Sequence, residues 1–148
     1  MTQDLSTITM DGTGAQISFG GANLQEVSIS PPSVTGGGAL EVTTHRNGTW
    51  RTKAPKTLKD LGEVSFSAVY DPAEFNTTGL GKVNVNQSIT VTFPDTSTLV
   101  FYGFIDSFTP GEITPGELPT VDVTIVVTNQ AGAGTTGGAE TAPVYTSA

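Results

Sequence analysis

The chain has 148 residues, enough for one domain with a core of its own, and its 14 acidic and six basic side chains give a formal net charge of −8. The absence of cysteine excludes disulfides and thiolate metal sites, and the surplus of acid argues against wrapping nucleic acid, because phosphates would be repelled. Glycine and proline together number 27, a composition that favours strands and turns over helices. The N-terminal segment has no basic region followed by an apolar run, and no stretch is long enough to span a bilayer, so we expect no signal peptide and no membrane contact.

In the first part of the chain, the alternation of apolar and polar residues predicts short strands. We expect them at Thr7–Met10, Ala15–Phe19, Leu24–Ser30 and Ala39–Thr44. The alternation places Val27 and Ile29 inward in the third of these, and Leu40 and Val42 inward in the fourth. Pro31-Pro32 ends the third strand, because proline cannot donate to a ladder.

The segment that follows collects nearly all of the positive charge. From His45 to Lys59 it holds five of the six Lys and Arg residues, the only tryptophan and no acid, which leaves one lysine and fourteen acids elsewhere, a net of −13. Asn47-Gly48 favours a tight turn, and Pro55 excludes a continuous central strand. We therefore predict a long, hairpin-like loop over Arg46–Asp60 that projects from an acidic body. A chain divided in this way is electrostatically complementary to a copy of itself.

The second half of the chain predicts longer strands and one helix. We expect strands at Leu61–Asp71, Gln87–Phe93, Thr98–Phe108 and Thr120–Asn129, with turns at Pro94–Thr96 and Thr109–Pro119. Thr98–Phe108 is apolar on both faces, with Asp106 and Phe108 on the same face as Val100, Tyr102 and Phe104, so we expect a central strand covered on both sides. Asp71-Pro72 predicts the start of a helix of one or two turns, with Asp71 as N-cap, Glu74 three residues later and an end within Asn76–Gly81.

These elements predict an all-β fold, a small sandwich or barrel of about seven to eight strands with one short helix and a long projecting loop. Residues 1–130 make a single β domain. Residues 131–148 are rich in Gly and Thr and have little to bury, which predicts a flexible tail.

The sequence offers little for chemistry. It has one histidine, no Gly-x-Ser-x-Gly elbow and no phosphate-binding Gly-x-x-x-x-Gly-Lys loop, so we predict no enzyme, no cofactor and no metal site. Trp50 sits among cations, where it either stacks on a sugar or base, or anchors its segment to the body or to a neighbouring subunit; the anchor is favoured. The cations are either a solvated face or a partner contact, and their concentration in one segment favours the contact.

Residues 42–72, VTTHRNGTWRTKAPKTLKDLGEVSFSAVYDP, resemble the major tail tube proteins of long-tailed bacteriophages. The resemblance is carried by a Thr-Lys-x-Pro loop at residues 52–55, a Leu-x-Asp-x-Gly lead-in at residues 58–62, and a strand that ends in aromatic-Asp-Pro at residues 70–72. The strands Ile89–Pro94, which ends in Val-Thr-Phe-Pro, and Leu99–Gly103, which ends in Phe-Tyr-Gly, are also similar to the family's pattern. The match covers about Leu24–Asn129, and the tail after Gln130 has no counterpart in it.

The resemblance implies a structural virion protein of the tail that is assembled in the host bacterial cytoplasm. Six copies would form a ring, and rings would stack into a tube through the long loop. The negatively charged channel would let genomic DNA pass into the host without specific binding. Further partners implied are a tail tip or baseplate initiator, a tape measure protein and a tail terminator. The type VI secretion tube shares the fold, so a secretion tube is an alternative.

Residue roles follow from this interpretation. We expect the ring–ring interface to contain Arg46, Trp50, Arg51, Lys53, Lys56 and Lys59, and the channel charge to come from Glu63, Asp106 and Asp122. Two other classes stay open at this point. A carbohydrate-binding β-sandwich would stack sugars on Trp50, with Tyr70 or Tyr102, and a nucleic-acid-binding β domain would use the basic segment directly.

Overall fold

The computed structural model describes residues 13–19, 24–132 and 138–148. They belong to two units, which we describe separately: a sheet unit made of the chain up to Pro31 and from Glu63 onward, and a hairpin unit, Pro32–Gly62. The strand expected at Thr7–Met10 lies outside the described residues. In chain order the strands are β1 (Gln16–Phe19), β2 (Glu26–Ser30), β3 (Val34–Gly36), β4 (Ala39–Glu41), β5 (Lys53–Pro55), β6 (Lys59–Leu61), β7 (Val64–Val69), β8 (Gln87–Thr92), β9 (Thr98–Pro110), β10 (Thr120–Val127) and β11 (Val144–Thr146).

The sheet unit is a single antiparallel sheet in the order β1-β8-β9-β10-β7-β2, with β11 also paired to β9. Its strands alternate as the sequence predicts: Ile89 and Val91 of β8 are buried while Ser88 is exposed, and Val121 and Val123 of β10 are buried while Asp122 is exposed. Among the described residues, strands outnumber the one short helical segment by far. The all-β class is therefore confirmed.

The core lies on one face of this sheet. The buried apolar side chains of the sheet unit are Ile17, Phe19, Leu24, Val64, Phe66, Ala68, Ile89, Val91, Phe101, Ile105, Val121, Val123 and Ile125. The rings of Phe19 in β1 and Phe66 in β7 approach to 6.0 Å between centroids, although three strands separate β1 from β7 in the sheet order. The sheet must therefore curl so that its two ends share one core, in which each large side chain contributes about 1.5–3 kcal/mol by burial.

The curled sheet brings its two edge strands together without closing it into a barrel. The backbone N–H of Ile17 in β1 donates to Oε1 of Glu26 in β2 at 3.1 Å. This side-chain bond stands where a closed barrel would have a backbone ladder. An open edge is thus satisfied in part by a carboxylate, which is one way in which sheets protect edge strands.

A bulge in β2 overturns the predicted orientation of Val27. The pairing of β2 with β7 shifts between Glu26 and Ser28, so that Glu26 lies opposite Ala68 and Ile29 lies opposite Phe66. The extra residue, Val27, is left 61% exposed, whereas Ile29 is half-buried as expected. One inserted residue changes the face of every residue before it, and the sequence alternation alone does not reveal the insertion.

A second bulge, in β9, changes the face of Phe108. The register with β10 pairs Thr124 with Ser107 but Ile125 with Ile105, which leaves Asp106 as the extra residue. Phe108 then lies opposite the buried Val123 rather than sharing the face of Phe104, so its predicted face was wrong. β9 is a central strand, as predicted, but its second face is only half-buried, so the prediction of full cover on both sides was also wrong.

The helix begins where predicted and ends within the predicted range, Asn76–Gly81. The N-cap Asp71 accepts from the Ala73 N–H at 2.9 Å, and the α-helix α1 (Pro72–Glu74) continues as a π-helix over Phe75–Leu80. The Glu74 carboxylate accepts from the hydroxyl of the fully buried Thr78 at 3.0 Å. The Phe75 ring lies 6.2 Å from that of Tyr70 and 5.7 Å from that of Phe108, so the helix covers one end of the core.

The chain after β10 is tied back to the sheet unit. The side chain of Asn86 is buried, donates to the carbonyls of Gln130 and Gly132, and accepts from the Thr128 hydroxyl at 2.8 Å. Further on, β11 pairs with the stretch of β9 that β10 does not reach. The sequence pattern did not predict β11. The flexibility of residues 131–148 and the domain boundary at residue 130 stay predictions.

Candidate assembly surface

The basic segment belongs to a long β-hairpin, the hairpin unit. β3 pairs with β6, and β4 pairs with β5. Two backbone bonds join these ladders, from the Gly37 N–H to the Leu58 carbonyl and from the Lys56 N–H to the Gly38 carbonyl, both at 3.1 Å. The hairpin thus starts at β3 rather than at Arg46, where we predicted it. The signal for this earlier start is the Pro31-Pro32 stop, which separates β3 from the preceding strand of the body, whereas the triple glycine of residues 36–38 leads from β3 into β4.

One side chain shapes the tip of the hairpin. Oδ1 of Asn47 accepts from the Thr44 N–H at 2.8 Å, and Nδ2 of Asn47 donates to the Trp50 carbonyl at 3.0 Å. The Asn47 N–H also donates to the Thr44 carbonyl at 3.0 Å, which closes the turn. Asn47 therefore fixes the backbone at Trp50, whose side chain is 84% exposed.

The two faces of the β4–β5 ladder differ in chemistry. Leu40 lies opposite Ala54 and Glu41 opposite Lys53, and opposed residues of an antiparallel pair share a face. Val42, whose N–H donates to the Thr52 carbonyl at 2.9 Å, follows Leu40 on the apolar face. Leu40 is 55% exposed and Val42 39% exposed, so their predicted inward positions were wrong: a two-stranded ribbon has no second layer to bury its apolar face.

The six residues predicted at the ring–ring interface all lie in the hairpin unit and are all exposed: Arg46, Trp50, Arg51, Lys53, Lys56 and Lys59. Within residues 13–19, 24–132 and 138–148, no acid forms an ion pair with any of these cations. The carboxylate of Glu41, across the ladder from Lys53, instead accepts from the hydroxyl of Thr43.

Charge is divided between the two units. The hairpin unit has five cations and the acids Glu41 and Asp60, a net of +3; the sheet unit has Lys82 and the twelve other acids, a net of −11. Because the described acids leave the five cations of the hairpin unit unpaired, these cations are available for an acidic partner.

The residues predicted to supply channel charge lie in the sheet unit. Asp122 is exposed on the face of β10 opposite the core, Asp106 is exposed at the bulge of the neighbouring β9, and Glu63 is exposed just before β7. Around Asp122, this face carries hydroxyls: Ser67 and Thr109 lie directly across the two ladders. Ser67 and Asp122, with Ser28 and Ser30 of β2, line a shallow depression of about 220 Å³ on this face. The result is a polar face with small side chains and two carboxylates.

Features of other functional classes are few in the part of the chain that the structure describes. It contains no group of three or more His, Cys, Asp and Glu residues placed to hold a metal ion, and no helix of the length and apolarity needed to cross a membrane. Trp50 is exposed, whereas the Tyr70 ring packs against Phe75 and Tyr102 is half-buried. Of the three aromatic residues predicted to stack on a sugar, Trp50 thus has the most exposed side chain.

Comparisons with known proteins show a similarity of this chain to solved structures at the level of the fold. No family model matches the sequence, and no curated protein matches it. A chain in the cryo-EM structure of the anti-feeding prophage baseplate, reconstructed with 6-fold symmetry, superposes with a TM-score of 0.54 at 8% identity, over 77% of this chain and 87% of that one. A chain in the tail of an empty GTA particle, reconstructed with C6 symmetry, gives a TM-score of 0.43 at 15% identity, over 86% of this chain and 84% of that one. The chain shares the fold of a subunit of the anti-feeding prophage baseplate.

Proposed function

We propose that the chain is a structural subunit of a phage tail, and more specifically of the tail tube, in which six copies form a ring and the rings stack around a channel for DNA. The likeness in fold to a chain of a six-fold symmetric baseplate supports such an assembly. The resemblance of residues 42–72 to tail tube proteins supports the tube in particular. The role is structural rather than enzymatic, and its place is the virion tail, after assembly in the host cytoplasm.

One observation carries the proposal: the hairpin unit, of net charge +3, exposes cations that pair with no acid of the described chain, while the sheet unit has a net charge of −11. Contact between the hairpin unit of one copy and the sheet unit of the next is heterologous, so it propagates from ring to ring. Each exposed ion pair contributes little, and six-fold repetition would sum these contributions. The polar face with Asp106 and Asp122 suits a channel wall that repels phosphate.

Electron microscopy of the purified protein tests the proposal. At high concentration and low salt we expect hollow tubes with regular striations, and at high salt we expect fewer of them, because salt screens contacts between exposed charges. A protein that stays monomeric at every concentration and salt contradicts self-assembly through this surface. The tail initiator, tape measure protein and terminator are partners of the same proposal.

A secretion tube would give the same images, because it shares the architecture, so the genomic neighbourhood of the coding sequence separates it from a phage tail. The exposure of Trp50 favours one further candidate, a carbohydrate-binding module, because a free indole face is what a sugar ring stacks on. A glycan array distinguishes that candidate from the tube: specific binding that is lost in Trp50→Ala supports the module, and its absence supports the anchor role of Trp50.

A further inference from the structure

The tip of the hairpin contains the only Asn-Gly pair of the chain, Asn47-Gly48. The backbone nitrogen after an asparagine can attack the side-chain amide carbon, and a glycine nitrogen does so most readily because glycine has no Cβ in the way. Gly48 is exposed, and no atom lies within 4 Å of the place that its Cβ would take. Within residues 13–19, 24–132 and 138–148, no acceptor is bonded to the Gly48 N–H. The attacking nitrogen is therefore unobstructed.

The side-chain carbonyl of Asn47 is polarised by its neighbours. Its Oδ1 accepts from the Thr44 N–H at 2.8 Å, and the Thr44 hydroxyl donates to the same oxygen at 3.4 Å. Donors placed at a carbonyl oxygen stabilise the negative charge that this oxygen gains when a nucleophile adds to its carbon. Cγ of Asn47 is therefore prepared for addition of the Gly48 nitrogen.

We propose that Asn47 is a site of spontaneous deamidation in subunits that have not yet assembled. The Gly48 nitrogen forms a bond to Cγ of Asn47, the bond from Cγ to Nδ2 breaks, and the proton of the Gly48 N–H leaves with Nδ2 as ammonia. Water then opens the resulting succinimide at either of its carbonyl carbons and returns a proton to the Gly48 nitrogen. The product has aspartate or isoaspartate at position 47, and water is the only reactant consumed.

The product loses bonds that shape the tip. Nδ2 of Asn47 donates to the Trp50 carbonyl at 3.0 Å and also to the Thr52 hydroxyl, and a carboxylate can donate to neither. The new charge lowers the net charge of the hairpin unit from +3 to +2. Here the inference rests on the proposed function: a looser, less positive tip binds the acidic sheet unit of the next copy more weakly, so deamidated subunits assemble less.

Peptide mapping by mass spectrometry tests the modification in the unassembled protein, held in mildly alkaline buffer that favours loss of the Gly48 proton. We expect conversion at Asn47 to be at least about ten-fold faster than at Asn76, an exposed asparagine followed by threonine. Gly48→Ala is the matched variant, because its Cβ has room, and it should slow conversion about ten-fold. Equal rates with and without Gly48→Ala, or conversion at Asn47 no faster than at Asn76, overturn the proposal.

Asn47→Asp supplies one product directly and tests the consequence. Its assembled fraction should fall about three-fold or more relative to Asn76→Asp, which adds the same charge outside the hairpin unit. Trp50 is the only tryptophan, so its fluorescence anisotropy reports on the tip and should fall in Asn47→Asp. If both variants assemble equally and the unaltered protein forms tubes, the effect on assembly is rejected and the proposed function stands. If the unaltered protein forms no tubes, the proposed function is rejected, and peptide mapping still decides whether Asn47 is modified.

Discussion

The backbone of Ile17 and the side chain of Glu26 are joined across the two edges of the curled sheet, with Oε1 of Glu26 accepting from the Ile17 N–H at 3.1 Å. Glu26 lies opposite the buried Ala68, so its carboxylate is partly buried where it forms this bond. Glu26→Ala should lower the free energy of unfolding by about 1–3 kcal/mol, because it leaves the Ile17 donor unpaired. Glu26→Gln keeps an acceptor oxygen and should lose less. Urea denaturation of the monomer measures both, and equal losses would show that the hydrogen bond is not what matters.

The cations of the hairpin unit should govern assembly rather than folding. The double variant Arg51→Glu, Lys53→Glu should reduce the assembled fraction about ten-fold or more, because like charges would then face each other across the contact. Sedimentation measures the assembled fraction and circular dichroism the fold. Lys82→Glu is the matched control for Lys53→Glu, because both substitutions change the net charge equally and only Lys53 lies in the hairpin unit. Normal assembly of the double variant would contradict the prediction that these cations lie in the ring–ring interface.

The channel prediction concerns Glu63, Asp106 and Asp122. Tubes of the unaltered protein should not retain DNA, since the channel wall repels phosphate. Reversal of all three acids to lysine should make tubes retain short duplex DNA in a salt-dependent manner, as measured by co-sedimentation. Reversal of Glu140, an exposed acid elsewhere in the sheet unit, is the control. If the triple reversal leaves DNA retention unchanged, these residues do not line the channel.

Gly103 of β9 permits close packing of the sheet. A Cβ atom at this position would lie 2.6 Å from the Val126 carbonyl oxygen and 3.4 Å from Cδ1 of Ile89. Gly103→Ala should therefore destabilise the protein by about 1–3 kcal/mol, because the backbone of β10 must move. Gly48→Ala is the control, since no atom lies within 4 Å of that site. Chemical denaturation of the two variants should differ clearly, and equal midpoints would contradict the packing argument.

Thr96, in the turn between β8 and β9, has a φ of +69°. A β-branched residue is strained in this left-handed region, at a cost of about 1–2 kcal/mol. Thr96→Gly should raise the free energy of unfolding by about 0.5–1 kcal/mol, since the relief of strain exceeds the entropy that glycine adds to the unfolded chain. Thr98→Gly, in β9, should be destabilising. Calorimetric melting temperatures test both, and a lower melting temperature for Thr96→Gly would rule out the strain.

Much of the fold could be predicted because it depends on local pattern. The alternation in β8 and β10 identified their buried faces, since strand side chains alternate with a period of two. Asp71-Pro72 identified the helix start, because a cap uses residues adjacent in sequence. The bulges at Val27 and Asp106 could not be predicted in this way, because each exists only relative to the register of a neighbouring strand.

By itself, the sequence determined the all-β class, the core faces of most strands and the gathering of positive charge in one segment, because these are properties of residue order and composition. Only the tertiary structure decided that Leu40 and Val42 belong to an exposed hairpin and that β11 completes the sheet beside β9. The physical reason is that burial depends on what lies across from a residue, and its opposite neighbour is set by pairing between distant parts of the chain.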